Sequence, residues 1–392
     1  MTDMQLPALV SPAAELSREE INRYSRHLLI PDVGDLGQRR LKNARVLVIG
    51  AGGLGSPTLL YLAAAGVGTL GVIDFDRVDE SNLQRQIIHG VGTVGELKAE
   101  SARQAIARLN PLVRVETHCE RLEPETAVAL FSRYDLILDG TDNFATRYLV
   151  NDACILADKP YVWGSIFRFE GQASVFWENA PGGRGLNYRD LYPEPPPPEM
   201  APSCAEGGVF GVLCASIASI MATEAVKLIT GIGNTLLGRL VVYDALEMRY
   251  RELPVRRLPQ RQAVTALSDY QAFCGLIGAQ STAPAVPGIT VKQLKALVDQ
   301  GNSPILIDVR EPTEWSIVRI PGAVLMPKSP SVAGEILQRF GRDAEVIVTC
   351  KSGARSRAVS AELLGLDMPN VRNLEGGVLA WVEHVDPSLP AY

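Results

Sequence analysis

RVLVIGAGGLGSPTLLYLAAAGVGTLGVIDFD, residues 45–76, decides the fold of the first half of the chain. An apolar run meets a cluster of glycines, an apolar stretch with no breaker follows, and a second apolar run ends at Asp74. Strand, tight turn, helix and strand in that order make the opening βαβ unit of a parallel sheet. Gly50, Gly52 and Gly55 give the spacing G-x-G-x-x-G, with Asp74 about 20 residues on. Such a turn lets the backbone approach a phosphate at a helix N-terminus, and an acid at the next strand end can accept ribose hydroxyls. The spacing alone leaves open an NAD-dependent oxidoreductase and a purely structural turn.

Working outward, LSREEINRYSRHLL carries Ser17 and Glu20 at capping-box spacing before a helical pattern. Downstream, ELKAESARQAIARLN predicts a helix, RVETHCERL and DLILDGTDN strands, and YVWGSIFRFEGQASVFWE a hairpin or meander. This alternation predicts an open α/β sheet. PGGRGLNYRDLYPEPPPPEMAPSC, ending at Cys204, is expected as an exposed extended loop. A buried helix follows, then two strands in LGRLVVYDALEMRYREL. The expected division is a first domain over 1–253, a linker over 254–287 and a small second α/β domain over 288–392. In that domain ITVKQLKALVDQG, EILQRFG and SRAVSAELLGL predict helices, PILIDVR and EVIVTC strands, and GAVLMP a short extended piece.

The chain has 392 residues, 46% of them hydrophobic, and a net charge of −6, a globular composition with no basic face of the kind nucleic acid requires. The longest uncharged stretch, Val209 to Thr223, falls short of the ~18 apolar residues of a membrane span. No basic and apolar leader is visible at the start, so a cytoplasmic protein is expected. Six cysteines without CxxC spacing suit reduced thiols. Cys119, Cys154 and Cys214 are expected in the core.

Asn82, Arg85 and Lys98 follow the second strand, and transfer of phosphoryl or adenylyl groups needs cations aimed at developing charge. Ordinary solvated surface groups are the alternative. Asp142 and Asn143 in DGTDN lie where open α/β sheets bind ligands and could hold Mg²⁺ beside phosphates, or simply cap a helix.

GAGGLGSP, DFDRVDESNLQRQ, KAESA from Lys98 and the TDN ending at Asn143 occur in an order that resembles the adenylation domain of the E1-like (ThiF-type) superfamily. The likeness is to the molybdopterin-synthase and thiamin sulfur-carrier adenylyltransferases, over about residues 15–250. It implies a Rossmann-like domain with a mixed sheet and a homodimer. ATP and Mg²⁺ would be held by Gly50, Gly52, Gly53, Gly55, Asp74, Asp76, Ser81, Asn82, Leu83, Gln84, Arg85, Lys98, Asp142 and Asn143, with Asp142 the implied Mg²⁺ ligand. Arg26 matches an arginine that reaches the partner's ATP site, and Cys204 one that can carry an acyl group, although an incidental cysteine at a helix start reads equally. Relatives carry two CxxC pairs for structural zinc. The matching positions here are Asn187, Asp190, Gln271 and Cys274, so no zinc site is expected.

CKSGARS, from Cys350 to Ser356, places a thiol at a strand end before a glycine turn and a helix, where amides and Arg355 would favour a nucleophilic thiolate. A buried structural cysteine is the alternative, and KSGARS is polar for that role. The spacing C-x₄-R makes a smaller cradle than the C-x₅-R of cysteine phosphatases, which suits sulfur. With DVRE from Asp308, RIPGA from Arg319 and LEGGVLAW from Leu374, residues 288–392 resemble the rhodanese family. The resemblance implies Cys350 as persulfide carrier, cradled by Lys351, Ser352, Gly353, Ala354 and Arg355, with Asp308 and Arg310 bracing the fold. Arg319 stands where the family has a histidine.

Together the two resemblances imply ATP-dependent adenylation of the Gly-Gly carboxylate of a small ubiquitin-like sulfur carrier, then sulfur transfer from Cys350 to give a thiocarboxylate. Molybdenum-cofactor, thiamin and cysteine biosynthesis are the pathways implied, with thiosulfate or a cysteine desulfurase as donor. An NAD-dependent oxidoreductase with a sulfur-binding appendage and a catalytically inactive sulfur-relay scaffold are the alternatives.

Overall fold

Ser17 caps the first helix as its spacing predicts, its hydroxyl accepting the Glu20 amide while the Glu20 carboxylate accepts the Ser17 amide. A computed structural model describes residues 5–196, 208–274, 286–302 and 304–392. Helices α1 (Arg18–Leu28) and α2 (Gly34–Asn43) lead into β1 (Arg45–Ile49), α3 (Gly55–Ala65), β2 (Thr69–Ile73), α4 (Lys98–Leu109) and β3 (Arg114–His118). Then come α5 (Pro124–Phe131), β4 (Leu136–Asp139), α6 (Phe144–Leu156) and the hairpin of β5 (Tyr161–Phe167) and β6 (Glu170–Phe176). Helix α7 (Gly211–Thr230), strands β7 (Arg239–Asp244) and β8 (Arg249–Pro254) and the short α8 (Tyr270–Phe273) complete this part.

The eight strands lie in the order β3-β2-β1-β4-β5-β6-β7-β8. Pairing is parallel from β3 to β5 and antiparallel from β5 to β8, the mixed sheet expected. Alternation along β1 supplies both cores: Val46 and Val48 pack on one face, Leu47 and Ile49 on the other. Each such side chain contributes about 1.5–3 kcal/mol on burial. The uncharged stretch forms α7, which is packed on the first face through Leu213, Ile217, Met221, Ala225 and Leu228 at intervals of one helical turn.

Contact density divides the chain into Met1–Gly278 and Ala279–Tyr392. The second unit contains β9 (Gly288–Ile289), α9 (Val291–Asp299), β10 (Ile305–Asp308), α10 (Pro312–Ile317) and β11 (Val324–Leu325). It continues with α11 (Val332–Phe340), β12 (Val346–Thr349), α12 (Ala354–Gly365), β13 (Val371–Leu374) and α13 (Gly377–His384). Its sheet is parallel, ordered β11-β10-β12-β13-β9, with β12 at the centre. The buried pair Asp308 and Arg310 braces it, since Arg310 donates to both Asp308 oxygens and to the Val318 carbonyl.

Two expectations are corrected. The segment expected as an exposed loop buries Leu186, Asn187, Tyr188 and Asp190, with the Tyr188 ring 5.3 Å from those of Trp163 and Tyr148. The linker expected over 254–287 begins too early, because Val255, Tyr270 and Cys274 enter the second core of the first unit. What binds this stretch is charge. Arg261 pairs with Asp190 and, at 2.6 Å, with both Glu178 oxygens, and these side chains are 6%, 0% and 17% exposed.

Three of the positions that relatives use for zinc, Asn187, Asp190 and Cys274, are engaged in other contacts. Asp190 spends its oxygens on the amides of Leu258 and Asn187 and on Arg261, and the Asn187 amide group bonds Glu178. Cys274 lies in the apolar core, where burial pushes its thiol up. Among the described residues no group of three His, Cys, Asp or Glu could hold an ion. Removing one partner from a buried charge network costs about 3–5 kcal/mol. Arg261→Met is therefore expected to lower the thermal midpoint of the first unit by on the order of 10 °C; an unchanged midpoint in calorimetry contradicts this role.

Candidate functional sites

The order of strands puts a switch point between β1 and β4, where crossovers leave in opposite directions and open sheets bind ligands. A pocket opens there, walled by Gly50, Gly52 and Gly53 on one side and by Gly140 to Asn143 on the other. Gly55 does not line it but makes the turn possible: a Cβ there would stand 1.8 Å from the Gly50 carbonyl oxygen. Asp74 fastens the turn, its Oδ2 accepting the Ala51 amide at 2.8 Å and its Oδ1 the Asp76 amide at 2.9 Å. Burial pushes the Asp74 carboxyl up, while Lys98 and those amides pull it back.

Lys98 begins α4 and is 7% exposed, so it is no solvated surface group; its Nζ lies 2.9 Å from Asp76 Oδ2 at the pocket wall. Arg85 also lines the pocket, steadied by the Ser81 carbonyl, which accepts from its Nη1 at 3.0 Å. Asp142 and Asn143 divide their roles. Asn143 caps α6, accepting the Thr146 amide at 2.9 Å, and the exposed Asp142 carboxylate stands at the pocket.

Besides Gly55, four implied binding residues do not line the pocket. Ser81 and Asn82 are spent on Asp79 in a short turn: Asp79 accepts the Ser81 hydroxyl at 2.5 Å, and Asn82 accepts the Asp79 amide at 3.2 Å. Gln84 packs on the start of α7, where a Cβ on Gly211 would lie 2.5 Å from its carbonyl oxygen, and Leu83 stays half-buried in the same turn. Together they carry Arg85. Arg26 is exposed on α1 and does not line the pocket. Cys204 lies outside the described residues. Cys119 is exposed at the end of β3 rather than in the core, whereas Cys154 and Cys214 are buried.

Sequence reasoning missed two pocket cations. Arg147 is 6% exposed, donates from Nε and Nη2 to the Thr141 carbonyl at 3.3 and 3.1 Å, and lies 5.8 Å from the Trp163 ring centre. Its signal was a lone cation in the apolar opening of a helix directly after TDN. Arg121 lies 4.4 Å from the Phe75 ring centre and has no local signal.

The second site is Cys350, at the end of the central strand of the second unit and 1% exposed. The expectation that so polar a loop disfavours a buried cysteine is corrected, because the loop covers the sulfur with its own donors. Gly353 donates its amide to Sγ at 3.1 Å and the Ser356 hydroxyl lies 3.4 Å away. Ser356 was not foreseen; its single proton is shared between Sγ and Asn373 Oδ1 at 2.6 Å. Helix α13 holds the loop from behind, its Val378 and Leu379 amides donating to the carbonyls of Cys350 and Lys351 at 2.9 and 3.1 Å. Gly377 allows that approach, since a Cβ there would stand 2.3 Å from the Cys350 oxygen. Lys351, Ser352 and Ala354 complete the turn.

Arg355, the cation of the same loop, is paired with a carboxylate. Both terminal nitrogens bond Glu314, each at 2.7 Å. Against the upward push of burial, Arg355 and the Glu311 amide hold the Glu314 carboxyl down at about 2. A depressed carboxyl contributes stability above its ordinary 4.5, and that contribution is lost as pH falls through about 2. Acid unfolding of the second unit is expected to steepen across this window in the parent and to flatten there in Glu314→Gln; identical profiles contradict the pairing.

Comparison with known proteins fits this geometry. A model described as the ThiF family matches residues 24–264, and one described as a rhodanese-like domain matches 290–384. The chain is 62% identical over 389 residues to the "probable adenylyltransferase/sulfurtransferase MoeZ" of Mycobacterium tuberculosis, covering 99% of each chain. It is 40% identical over 407 residues to the "adenylyltransferase and sulfurtransferase MOCS3" of Drosophila yakuba, covering 98% of this chain and 89% of the other. A crystal structure of E. coli MccB with ATP shares the fold, with a TM-score of 0.52, 22% identity and coverage of 62% and 74%.

Proposed function

The chain belongs to the ThiF family, ends in a rhodanese-like domain and is an adenylyltransferase and sulfurtransferase, and we propose that its substrate is the Gly-Gly carboxylate of a small ubiquitin-like sulfur carrier. The pocket at the switch point would hold MgATP, with Gly50, Gly52 and Gly53 leaving room for phosphates, Asp74 available to ribose hydroxyls and Asp142 as the residue that would bind the metal. The carrier carboxylate attacks the α-phosphorus and pyrophosphate leaves. Arg85 and Lys98 face the charge that develops, and Lys98 exchanges Asp76 for phosphate. The resulting acyl-adenylate has AMP as its leaving group.

The terminal sulfur of a Cys350 persulfide then attacks the acyl carbon and expels AMP, giving an acyl disulfide. A second thiol cleaves its S–S bond, releasing the thiocarboxylate and leaving a disulfide for a dithiol reductant. Thiosulfate or a desulfurase persulfide supplies the sulfur that Cys350 carries. Cys204 is a candidate second thiol, and the reading does not depend on it. Homodimerisation, with Arg26 lent to the partner's pocket, a zinc-free first unit and a cytoplasmic setting belong to the same proposal.

The observation that carries this reading is the buried Lys98 facing a glycine-walled pocket in the same chain as a thiol under loop amides. A nicotinamide oxidoreductase with a sulfur-binding appendage is displaced by the full-length relationship. An inactive scaffold would not need to retain either group.

Removing one preorganised donor or cation typically costs about 10²–10³ in rate. Lys98→Met is expected to slow carrier-dependent pyrophosphate–ATP exchange by that factor, while Cys350→Ala keeps exchange and forms no thiocarboxylate by mass spectrometry. Exchange that needs no carrier overturns the substrate assignment, and normal product from Cys350→Ala overturns the sulfur role.

A further inference from the structure

Tyr392 meets three charged groups of the sulfur site, and no motif of the sequence announces it. Its hydroxyl accepts from Arg310 Nη1 at 2.6 Å and donates to Glu314 Oε1 at 2.9 Å. Glu314 in turn grips Arg355 through both oxygens. The ring does separate work, with the Lys351 ammonium 4.5 Å from its centre. Arg310 is anchored beneath by Asp308, both side chains being fully buried. A single aromatic residue therefore joins the rigid Asp308–Arg310 brace to the two cations of the Cys350 loop.

We propose that Tyr392 is a positioning residue for the sulfurtransferase site: its ring fixes the Lys351 ammonium, its hydroxyl fixes Glu314 and thereby Arg355, and both cations are thus set for an anionic sulfur cargo. The chemistry favours this division. Lysine is a flexible point charge with many rotamers, and an aromatic face is one of the few surfaces that holds an ammonium without neutralising it. Arginine paired in both prongs with a carboxylate is fixed in plane, but only while the carboxylate is itself fixed. The Tyr392 hydroxyl supplies that fixity at Oε1, the oxygen that also accepts from Arg355 Nη2.

This rests on Cys350 carrying sulfur, so the test needs one reading that does not. In the full chain, Cys350 is alkylated with iodoacetate and with iodoacetamide, and the rates are followed by peptide mass spectrometry. Their ratio reports positive charge at the thiol, because only the first reagent is an anion. Thiosulfate–cyanide turnover, separated into kcat and KM, is measured beside it.

Tyr392→Ala is expected to lower the iodoacetate-to-iodoacetamide ratio about threefold to tenfold and to raise KM for thiosulfate similarly, with a smaller change in kcat, as befits one lost cation–π contact and one loosened ion pair. Tyr392→Phe, which keeps the ring, is expected between parent and Ala. An unchanged ratio in Tyr392→Ala overturns the proposal, as does an equal change in both reagents with kcat falling and KM constant, the signature of a loosened fold. A parent chain inactive with thiosulfate removes that donor instead, and the alkylation ratio then decides Tyr392 by itself.

Discussion

A tight turn at the carboxyl end of a central parallel strand is the constraint on which both halves of this molecule depend. In the second unit the Gly353 amide reaches Cys350 Sγ at 3.1 Å because the carbonyls of the loop are tied back by the first turn of α13. Without that tie the loop has no reason to hold the Gly353 N–H against the sulfur. In the first unit the glycine turn is folded tightly enough that no side chain fits at Gly55, and Asp74 holds the Ala51 amide in place. Each loop leaves a central parallel strand at its carboxyl end, so the rigid part of the sheet fixes where each loop sits.

The cations near these loops share a second property. Lys98 rests on Asp76, and Arg355 on Glu314, each at hydrogen-bond distance. A cation kept in place by a carboxylate needs little rearrangement when a phosphate or sulfur anion takes over part of its field, which is what preorganised catalysis requires. The same pairing limits the penalty of burying it. Cations paired with carboxylates beside tight strand-end turns are thus the resting form of both sites.

What the sequence revealed and what it hid divide along chain distance. The βαβ unit, the hairpin of β5 and β6 and the Cys350 loop were legible because each is written in consecutive residues whose periodicity or turn chemistry is local. Arg261 was not, since its partners Asp190 and Glu178 lie 71 and 83 residues away, and a stretch rich in arginine, glutamine and proline reads as linker until they are found. Tyr188 in a proline-rich segment was hidden for the same reason: besides Tyr192, its aromatic neighbours come from β5, β6 and α6. Ser81 to Gln84 erred in the other direction. They belong to a motif, but their side chains build the turn that presents Arg85 rather than the pocket itself.

The central claim is that sulfur held on Cys350 reaches a carboxylate only after ATP has activated it. Cys350 is loaded with heavy-isotope sulfur, the excess donor is removed, and the chain is mixed with a Gly-Gly carrier and a thiol reductant. Intact masses are recorded before and after MgATP is added. The account predicts that the label stays on Cys350 until ATP arrives and then appears in the carrier terminus in equal amount. Label moving without ATP, or unlabelled thiocarboxylate forming while Cys350 keeps its heavy sulfur, would contradict it.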